Sequence, residues 1–179
     1  MPADQYQSDV YTGKALDFIQ RRAPEAAAGG AAFFLFVTYL APHSGSPVEP
    51  GDPGLANPVP APRHKGRFAG ERLPATPAFN EADVSDKPAS MRANAVLKPG
   101  RMNQILLAYR QHLESLLAVD ERVARIVEAL RVAGVLENTL VIFTSDNGYF
   151  RGEHRIASGK ILPEMVFQSA TLGRTKVAP

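Results

Sequence analysis

The 179-residue sequence contains no cysteine. A chain without thiols has no disulfide framework, no cysteine-ligated zinc cluster and no thiol nucleophile. The redox state of the compartment is also left open, because no cysteine is present to report on it.

Long apolar runs and blocks of basic charge are missing as well. The longest apolar stretch, residues 31–41, contains Thr38 and is too short to span a bilayer. Residues 1–6 have neither the basic segment nor the apolar core of a signal peptide. The 20 Lys and Arg residues are balanced by 18 Asp and Glu residues along the chain. We therefore expect no membrane span, no signal peptide and no nucleic-acid partner, and the compartment stays unknown.

The remaining composition is that of a globular protein, with 45% hydrophobic and 21% charged residues. Two short runs, residues 33–40 and 139–144, are rich in aromatic or β-branched residues and predict buried strands. Residues 102–133 carry apolar side chains near helical spacing, which predicts a helix with Gly134 as its C-cap. A helix that crosses between two apolar strands indicates an α/β fold with at least partly parallel pairing.

Three smaller predictions complete this outline. Ser8 or Asp9 is predicted to cap a first helix, which ends before Pro24. Residues 44–100 are rich in Pro and Gly and predict a long irregular excursion. Asp120 falls on the apolar stripe of the second helix, so its carboxylate is expected to need a partner.

Polar residues follow the second predicted strand directly. Asp146 and Asn147 stand at its carboxyl end, where ligands collect in open α/β sheets. A carboxylate beside an amide oxygen suits Ca²⁺ or Mg²⁺. Asn147 and Gly148 also suit an ordinary turn with positive φ, so these residues alone leave both interpretations open. A phosphate-binding loop is excluded, since Ile161 stands where that motif requires Ser or Thr.

The motif order resembles that of a known family. Residues 138–160, NTLVIFTSDNGYFRGEHRIASGK, resemble the strand, metal loop and lysine loop of the type I sulfatases, in the alkaline-phosphatase-like superfamily. Residues 33–43, with their Ala-Pro-His end, and residues 79–88, FNEADVSDKP, are similar to the arylsulfatase and N-acetylglucosamine-6-sulfatase branch. The resemblance covers about residues 9–163 and implies a partial alkaline-phosphatase-like sheet flanked by helices, in an incomplete α/β domain.

The resemblance also implies roles for five residues. Asp146 and Asn147 would be calcium ligands, while His43 and Lys160 would grip the sulfate of a sulfated small molecule or carbohydrate. His154 is a weaker candidate, either as a pocket donor or as a residue that orients the loop. Without the resemblance, a lone loop histidine such as His43 is more often a solvated surface residue.

The sequence departs from the family in one essential respect. The sulfatase nucleophile is a formylglycine made from Cys or Ser in a Cys/Ser-x-Pro-x-Arg motif, and neither that motif nor the family's preceding pair of metal-binding aspartates is found. Residues 9–163 are therefore predicted to be the later part of a sulfatase catalytic domain. Residues 164–179 diverge from the family, and we expect them to be a poorly ordered tail.

Two hypotheses about function follow from this. In the first, the chain belongs to a sulfuric ester hydrolase and is active only within a longer polypeptide or with a complementing N-terminal segment. In the second, it is a truncated, non-catalytic remnant, at best a weak cation- or sulfate-binding module. A phosphoesterase of the same superfamily is less favoured, because those enzymes use two transition metals with several His and Asp ligands. Family members are often exported or lysosomal.

Overall fold

Two long helices form the centre of the computed structural model, which describes residues 6–45, 48–74 and 76–160. The helices are α1 (Gln7–Ala27), the short α2 (Ala89–Arg92) and α3 (Pro99–Val132), with 3₁₀ turns at Pro62–His64 and Leu136–Asn138. The tail at residues 164–179 lies outside the described residues. Among the helices of the described ranges, none combines the length and the apolar character needed to cross a membrane.

The predicted helix α3 is confirmed, including its end. Pro99 occupies its first turn, where a missing N–H costs nothing. After the last helical residue, Gly134 takes a φ of +70°, and the Val135 N–H donates to the Leu130 carbonyl at 3.1 Å. This is a Schellman ending, which satisfies a carbonyl that the helix would otherwise leave unpaired.

The predicted bounds of α1 are wrong at both ends. The helix continues through Pro24 to Ala27, and Tyr6 rather than Ser8 or Asp9 precedes it. Proline removes one intrahelical hydrogen bond, but the turn before it buries Ile19 and Ala23 almost completely. Burial of this apolar face outweighs the local cost of the proline.

Asp9 has a different role from the predicted cap. Its two carboxylate oxygens accept hydrogen bonds from Arg63 at 2.9 Å each, and Arg122 Nε on α3 lies 2.8 Å from Oδ1. Arg63 also approaches Glu121 at 3.0 Å. This network ties α1, the 3₁₀ turn of the excursion and α3 together.

The core lies between α1 and α3 and also contacts the two predicted strands. Ile19, Ala23, Leu130 and Val135 form its buried centre. Phe33, Leu35 and Val141 pack against that centre, and Phe33 meets Phe18 edge to face at a centroid distance of 5.8 Å. The two apolar runs therefore lie on the same helical layer.

Residues 33–40 alternate between partly buried and exposed side chains, as a strand does, whereas in residues 139–144 the alternation ends at Val141 and residues 142–144 are all exposed. Phe34 is 85% exposed and Leu140 67% exposed, whereas their neighbours Phe33 and Val141 face the core. Yet neither run pairs with a strand in the part of the chain that the structure describes, so the expected sheet and its parallel pairing are not confirmed. Side-chain pattern predicts which face is buried, whereas a ladder also requires a neighbouring backbone.

The irregular excursion is confirmed and packs along α3. Arg110 of α3 donates to the Glu71 carbonyl at 2.7 Å, and Gln111 donates to Asp52 at 2.8 Å. The expectation for Asp120 is wrong, because that residue is exposed. The buried polar residues of α3 are His112, Glu114 and Ser115. Glu114 accepts the Phe68 N–H of the excursion at 3.5 Å, and His112 contacts Tyr149 in the loop that follows residue 147.

Candidate functional site

Residues 148–160 fold back on themselves as a short, irregular loop hairpin. Phe150 forms an antiparallel bridge with Gly159, and its N–H donates to the Gly159 carbonyl at 2.9 Å. A 2.7 Å contact between the Tyr149 and Ser158 hydroxyls also joins the two arms of the hairpin.

The hairpin brings two of the predicted site residues into direct contact. Lys160 Nζ donates to Asn147 Oδ1 at 2.8 Å. Asp146, next to Asn147, has an exposed side chain. The fold therefore places an ammonium group on the amide oxygen of Asn147, which is next in sequence to the carboxylate of Asp146.

The simple turn interpretation does not account for this loop. Positive φ values occur at Gly152, His154, Arg155 and Gly159, and neither Asn147 nor Gly148 is among them. The reversal of the chain is therefore made later in the hairpin. Asn147 and Gly148 are not held by the backbone conformation for which Asn-Gly turns are known.

The oxygen donors fit part of a calcium shell. Carboxylate and amide oxygens are the hard ligands that Ca²⁺ takes, about six to eight in number. Within the described residues no group of three His, Cys, Asp or Glu side chains is placed to hold a metal ion. Asp146 and Asn147 match the chemistry but provide only a minority of the ligands, so the rest of a shell would have to come from elsewhere.

His154 lies on another side of the loop hairpin. Its Nδ1 is 2.7 Å from Glu81 Oε1, and Lys87 Nζ lies 3.6 Å from the same oxygen. Its backbone N–H donates to the Ala78 carbonyl at 2.8 Å. No hydrogen bond within the described ranges joins His154 to Asn147 or Lys160. The contacts therefore favour the orienting role of His154 over the pocket role.

The segment that carries Glu81 clamps the hairpin from outside. Phe79 packs so closely on Gly152 that a Cβ at position 152 would lie 2.3 Å from its ring. The Asn80 N–H donates to the Gly152 carbonyl at 2.8 Å. Arg155 donates to three backbone carbonyls of this segment, those of Glu81, Ala82 and Asn94, at 3.0, 2.6 and 3.2 Å. The motif at residues 79–88 thus serves to hold the hairpin in place.

His43 follows the first extended run and is exposed. Its Nδ1 lies 3.1 Å from the Ser44 carbonyl oxygen. In the part of the chain that the structure describes, no hydrogen bond links His43 to Asp146, Asn147 or Lys160. It is nevertheless close enough to His112 to contribute to the electrostatics of that ring.

His112 on α3 packs against the loop hairpin. It is 6% exposed, and its ring lies 5.6 Å from that of Tyr149. Burial, with smaller contributions from Arg151 and His43, lowers the pKa of His112 from 6.5 to about 4. The imidazole is therefore neutral at pH 7, and its 2.7 Å contact with the Ala108 carbonyl places the proton on Nδ1 as a donor.

Arg151 is a second feature that sequence reasoning missed. Its guanidinium lies 4.9 Å from the centre of the Tyr149 ring and 6.0 Å from that of Tyr109. Arg151 lies within residues 138–160, the stretch that the resemblance singled out, and this was the signal available in the sequence. His112 gave no such signal, because it looked like one more residue of an apolar helix.

The chain matches known sulfatases over nearly its whole length. The family model described as Sulfatase matches residues 2–177. An arylsulfatase of Volvox carteri is 38% identical over 167 residues, one of Chlamydomonas reinhardtii 34% over 165, and an N-acetylglucosamine-6-sulfatase of Capra hircus 27% over 155. Each alignment covers 87% of this chain and 25% of the relative.

The chain thus spans about a quarter of the length of the curated relatives that it matches. No solved structure matches it significantly. The family implies an alkaline-phosphatase-like fold, to which the α1 and α3 layer and the two extended runs would belong. The motif order predicted the same family, and the family model spans that order from end to end. The chain belongs to the type I sulfatase family.

Proposed function

We propose that this chain supplies the sulfate- and cation-holding part of a sulfuric ester hydrolase. Two relatives are named arylsulfatase and a third N-acetylglucosamine-6-sulfatase, which supports a sulfated small molecule or a sulfated carbohydrate as the substrate. The nucleophile belongs to a motif that this sequence does not contain. Hydrolysis therefore requires a complementing N-terminal segment.

The observation that carries the proposal is the contact between Lys160 Nζ and Asn147 Oδ1, at 2.8 Å. A lysine ammonium is a compact, mobile cation with three donors, and its bond to Asn147 holds it at the carboxyl end of the second extended run. A sulfate oxygen near Nζ would accept a charge-assisted hydrogen bond. Lys160 would thus bind the sulfate, and the exposed His43 would approach it from the end of the first run.

Asp146 and Asn147 would hold a calcium ion on the other side of the sulfate. When bound, the ion would neutralise negative charge on the sulfate oxygens. The exposed carboxylate of Asp146 is accessible to a cation. Asn147 provides a neutral oxygen, and in the protein described here that oxygen accepts the hydrogen bond of Lys160.

The proposal includes the sheet. Residues 33–40 and 139–144 would be two of its strands, since Phe33, Leu35 and Val141 of these runs pack on one helical layer. The exposed sides of Phe34 and Leu140 would then meet the remaining layer of the domain. Such an arrangement places His43 and Asp146 at the same edge, because each directly follows one of the two runs.

Sulfate binding tests the proposal directly. We expect the purified chain to bind 4-nitrophenyl sulfate and the Lys160→Ala variant to bind it about tenfold more weakly or worse, because a charge-assisted hydrogen bond is lost. Lys14→Ala removes an exposed lysine of α1 and serves as the matched control. Equal affinities for the wild type and Lys160→Ala would show that Lys160 does not bind sulfate.

The second candidate is the non-catalytic remnant. It is favoured by one observation, the absence of any three-residue metal cluster from the described ranges. An assay of 4-nitrophenol release distinguishes the hydrolase from the remnant. It is run with the chain alone and with an added N-terminal segment of the Volvox carteri arylsulfatase. Calcium-dependent turnover with the added segment supports the hydrolase, whereas no turnover under either condition supports the remnant.

A further inference from the structure

Arg151 carries a charge that the described residues leave without a carboxylate. Its guanidinium is half-buried and rests on two tyrosine rings, 4.9 Å from Tyr149 and 6.0 Å from Tyr109. It forms no salt bridge in the part of the chain that the structure describes. Glu153 is near enough to affect the pKa of Arg151, but its Oε2 accepts the Arg151 backbone N–H at 2.6 Å.

A partly desolvated cation of this kind is costly unless an anion offsets it. Burial lowers the pKa of Arg151, which means that the surroundings disfavour its charge. Arginine nevertheless remains protonated in proteins. The two aromatic faces compensate in part through cation–π contacts and leave the planar donor fork of the guanidinium available.

Tyr149 relates this guanidinium to the candidate sulfate site. Tyr149 lies two residues after Asn147, and its hydroxyl is 2.7 Å from that of Ser158, two residues before Lys160. Asn147 in turn accepts the hydrogen bond of Lys160 Nζ at 2.8 Å. On the helix side, the His112 ring lies 5.6 Å from that of Tyr149. Arg151 is thus connected through Tyr149 to the contact between Asn147 and Lys160.

From this placement we infer that Arg151 is a specificity-determining residue that binds a second anionic group of the substrate, a carboxylate or a second sulfate, beside the ester held by Lys160. The inference rests on the proposed function, since it takes the sulfate site at Lys160 as given. It predicts a preference for substrates with two anionic groups on one ring. Lys160 serves every sulfate ester, whereas Arg151 distinguishes among them.

Binding of three probes tests this inference. Phenyl sulfate, 3-carboxyphenyl sulfate and 1,3-phenylene disulfate are titrated into the full chain and into Arg151→Gln. We expect the wild type to bind one or both doubly anionic probes about tenfold more tightly than phenyl sulfate, and Arg151→Gln to lose that preference. The carboxylate and disulfate arms distinguish which second group is preferred.

Further variants separate a local effect from a loss of folding. Arg151→Lys keeps the charge but loses the planar fork, so it should retain only part of the preference. Arg131→Gln is the control, because Arg131 is exposed beside Glu128 near the C-terminal end of α3. This variant should retain the full preference for the doubly anionic probes. Far-UV circular dichroism checks that the helices of each variant are intact.

The outcomes also distinguish the two proposals. If Lys160→Ala weakens all three probes while Arg151→Gln keeps the wild-type preference, the sulfate site stands and the role of Arg151 is overturned. If the wild type shows no preference, Arg151 does not contact a second anion, and the inference fails in the same way. If no probe binds the wild type, both the sulfate site and the inference are overturned.

Discussion

His112 makes the stability of this protein depend on pH between about 4 and 6.5. In the folded chain its pKa is about 4 because the ring is buried, whereas an unfolded histidine titrates near 6.5. Below 6.5 the unfolded state therefore binds a proton that the folded state does not. The stabilisation is fully present above pH 6.5 and is lost progressively as the pH falls toward 4.

The magnitude follows from the two pKa values. Over the whole window it amounts to about 3 kcal/mol, at about 1.4 kcal/mol for each pKa unit. Between about pH 7.5 and pH 5 the linkage relation gives a loss of about 2 kcal/mol. His112 is 6% exposed, so solvent screening takes little away.

Urea unfolding at these two pH values, followed by far-UV circular dichroism, measures this loss. We expect the free energy of unfolding of the wild type to fall by about 2 kcal/mol more than that of His112→Gln, which has no titrating ring. Carboxylates contribute equally to the pH dependence of both proteins. Arg63 lowers the pKa of Glu121 from its usual 4.5, so the effect of Glu121 on stability falls below pH 4.5. Equal losses in the two proteins would refute the buried, neutral state of His112.

Two further predictions concern the contacts that hold the site. Gly152→Ala should destabilise the protein by about 2 to 4 kcal/mol, because the added methyl group clashes with Phe79 and the backbone there has a positive φ. Gly66 also has a positive φ but no close neighbour, so Gly66→Ala should cost only about 1 kcal/mol. Asp9→Asn should lower the free energy of unfolding by about 2 to 4 kcal/mol, since the partly buried Arg63 and Arg122 lose their carboxylate partner. Asp17 pairs with Arg21 on the exposed surface, so Asp17→Asn should lower it by less than about 1 kcal/mol. Thermal or urea unfolding measures both pairs, and equal costs within either pair would contradict the corresponding contact.

Local patterns predicted what depends on neighbouring residues. The 3.6-residue spacing and Gly134 were sufficient for α3 and its end, since both are properties of contiguous chain. The end of α1 was missed because the penalty of Pro24 is local, whereas the burial of Ile19 that offsets it is tertiary. Phe33, Leu35 and Val141 of the two predicted strands pack on the core, but the strands themselves were not confirmed, because their pairing depends on backbone far away in the sequence.

The candidate site divides along the same line. Asp146 and Asn147 are adjacent in sequence, and the family motif identified Lys160, so these residues could be named from sequence alone. The contact between Asn147 and Lys160 depends on a hairpin that the sequence did not predict. His112 and Arg151 were missed because both pack between α3 and that hairpin, which is a tertiary contact. Within the apolar pattern of α3, His112 did not stand out.

The affinity for a sulfate ester, measured with and without calcium, tests the central claim most directly. If Asp146 and Asn147 hold a cation beside the sulfate bound by Lys160, Ca²⁺ must tighten the binding of 4-nitrophenyl sulfate to the wild type and have no effect on Asp146→Ala. Calorimetry of both proteins in the two conditions gives the four affinities required. A wild-type affinity that is the same with and without Ca²⁺ would contradict a shared cation and sulfate site at the end of this hairpin.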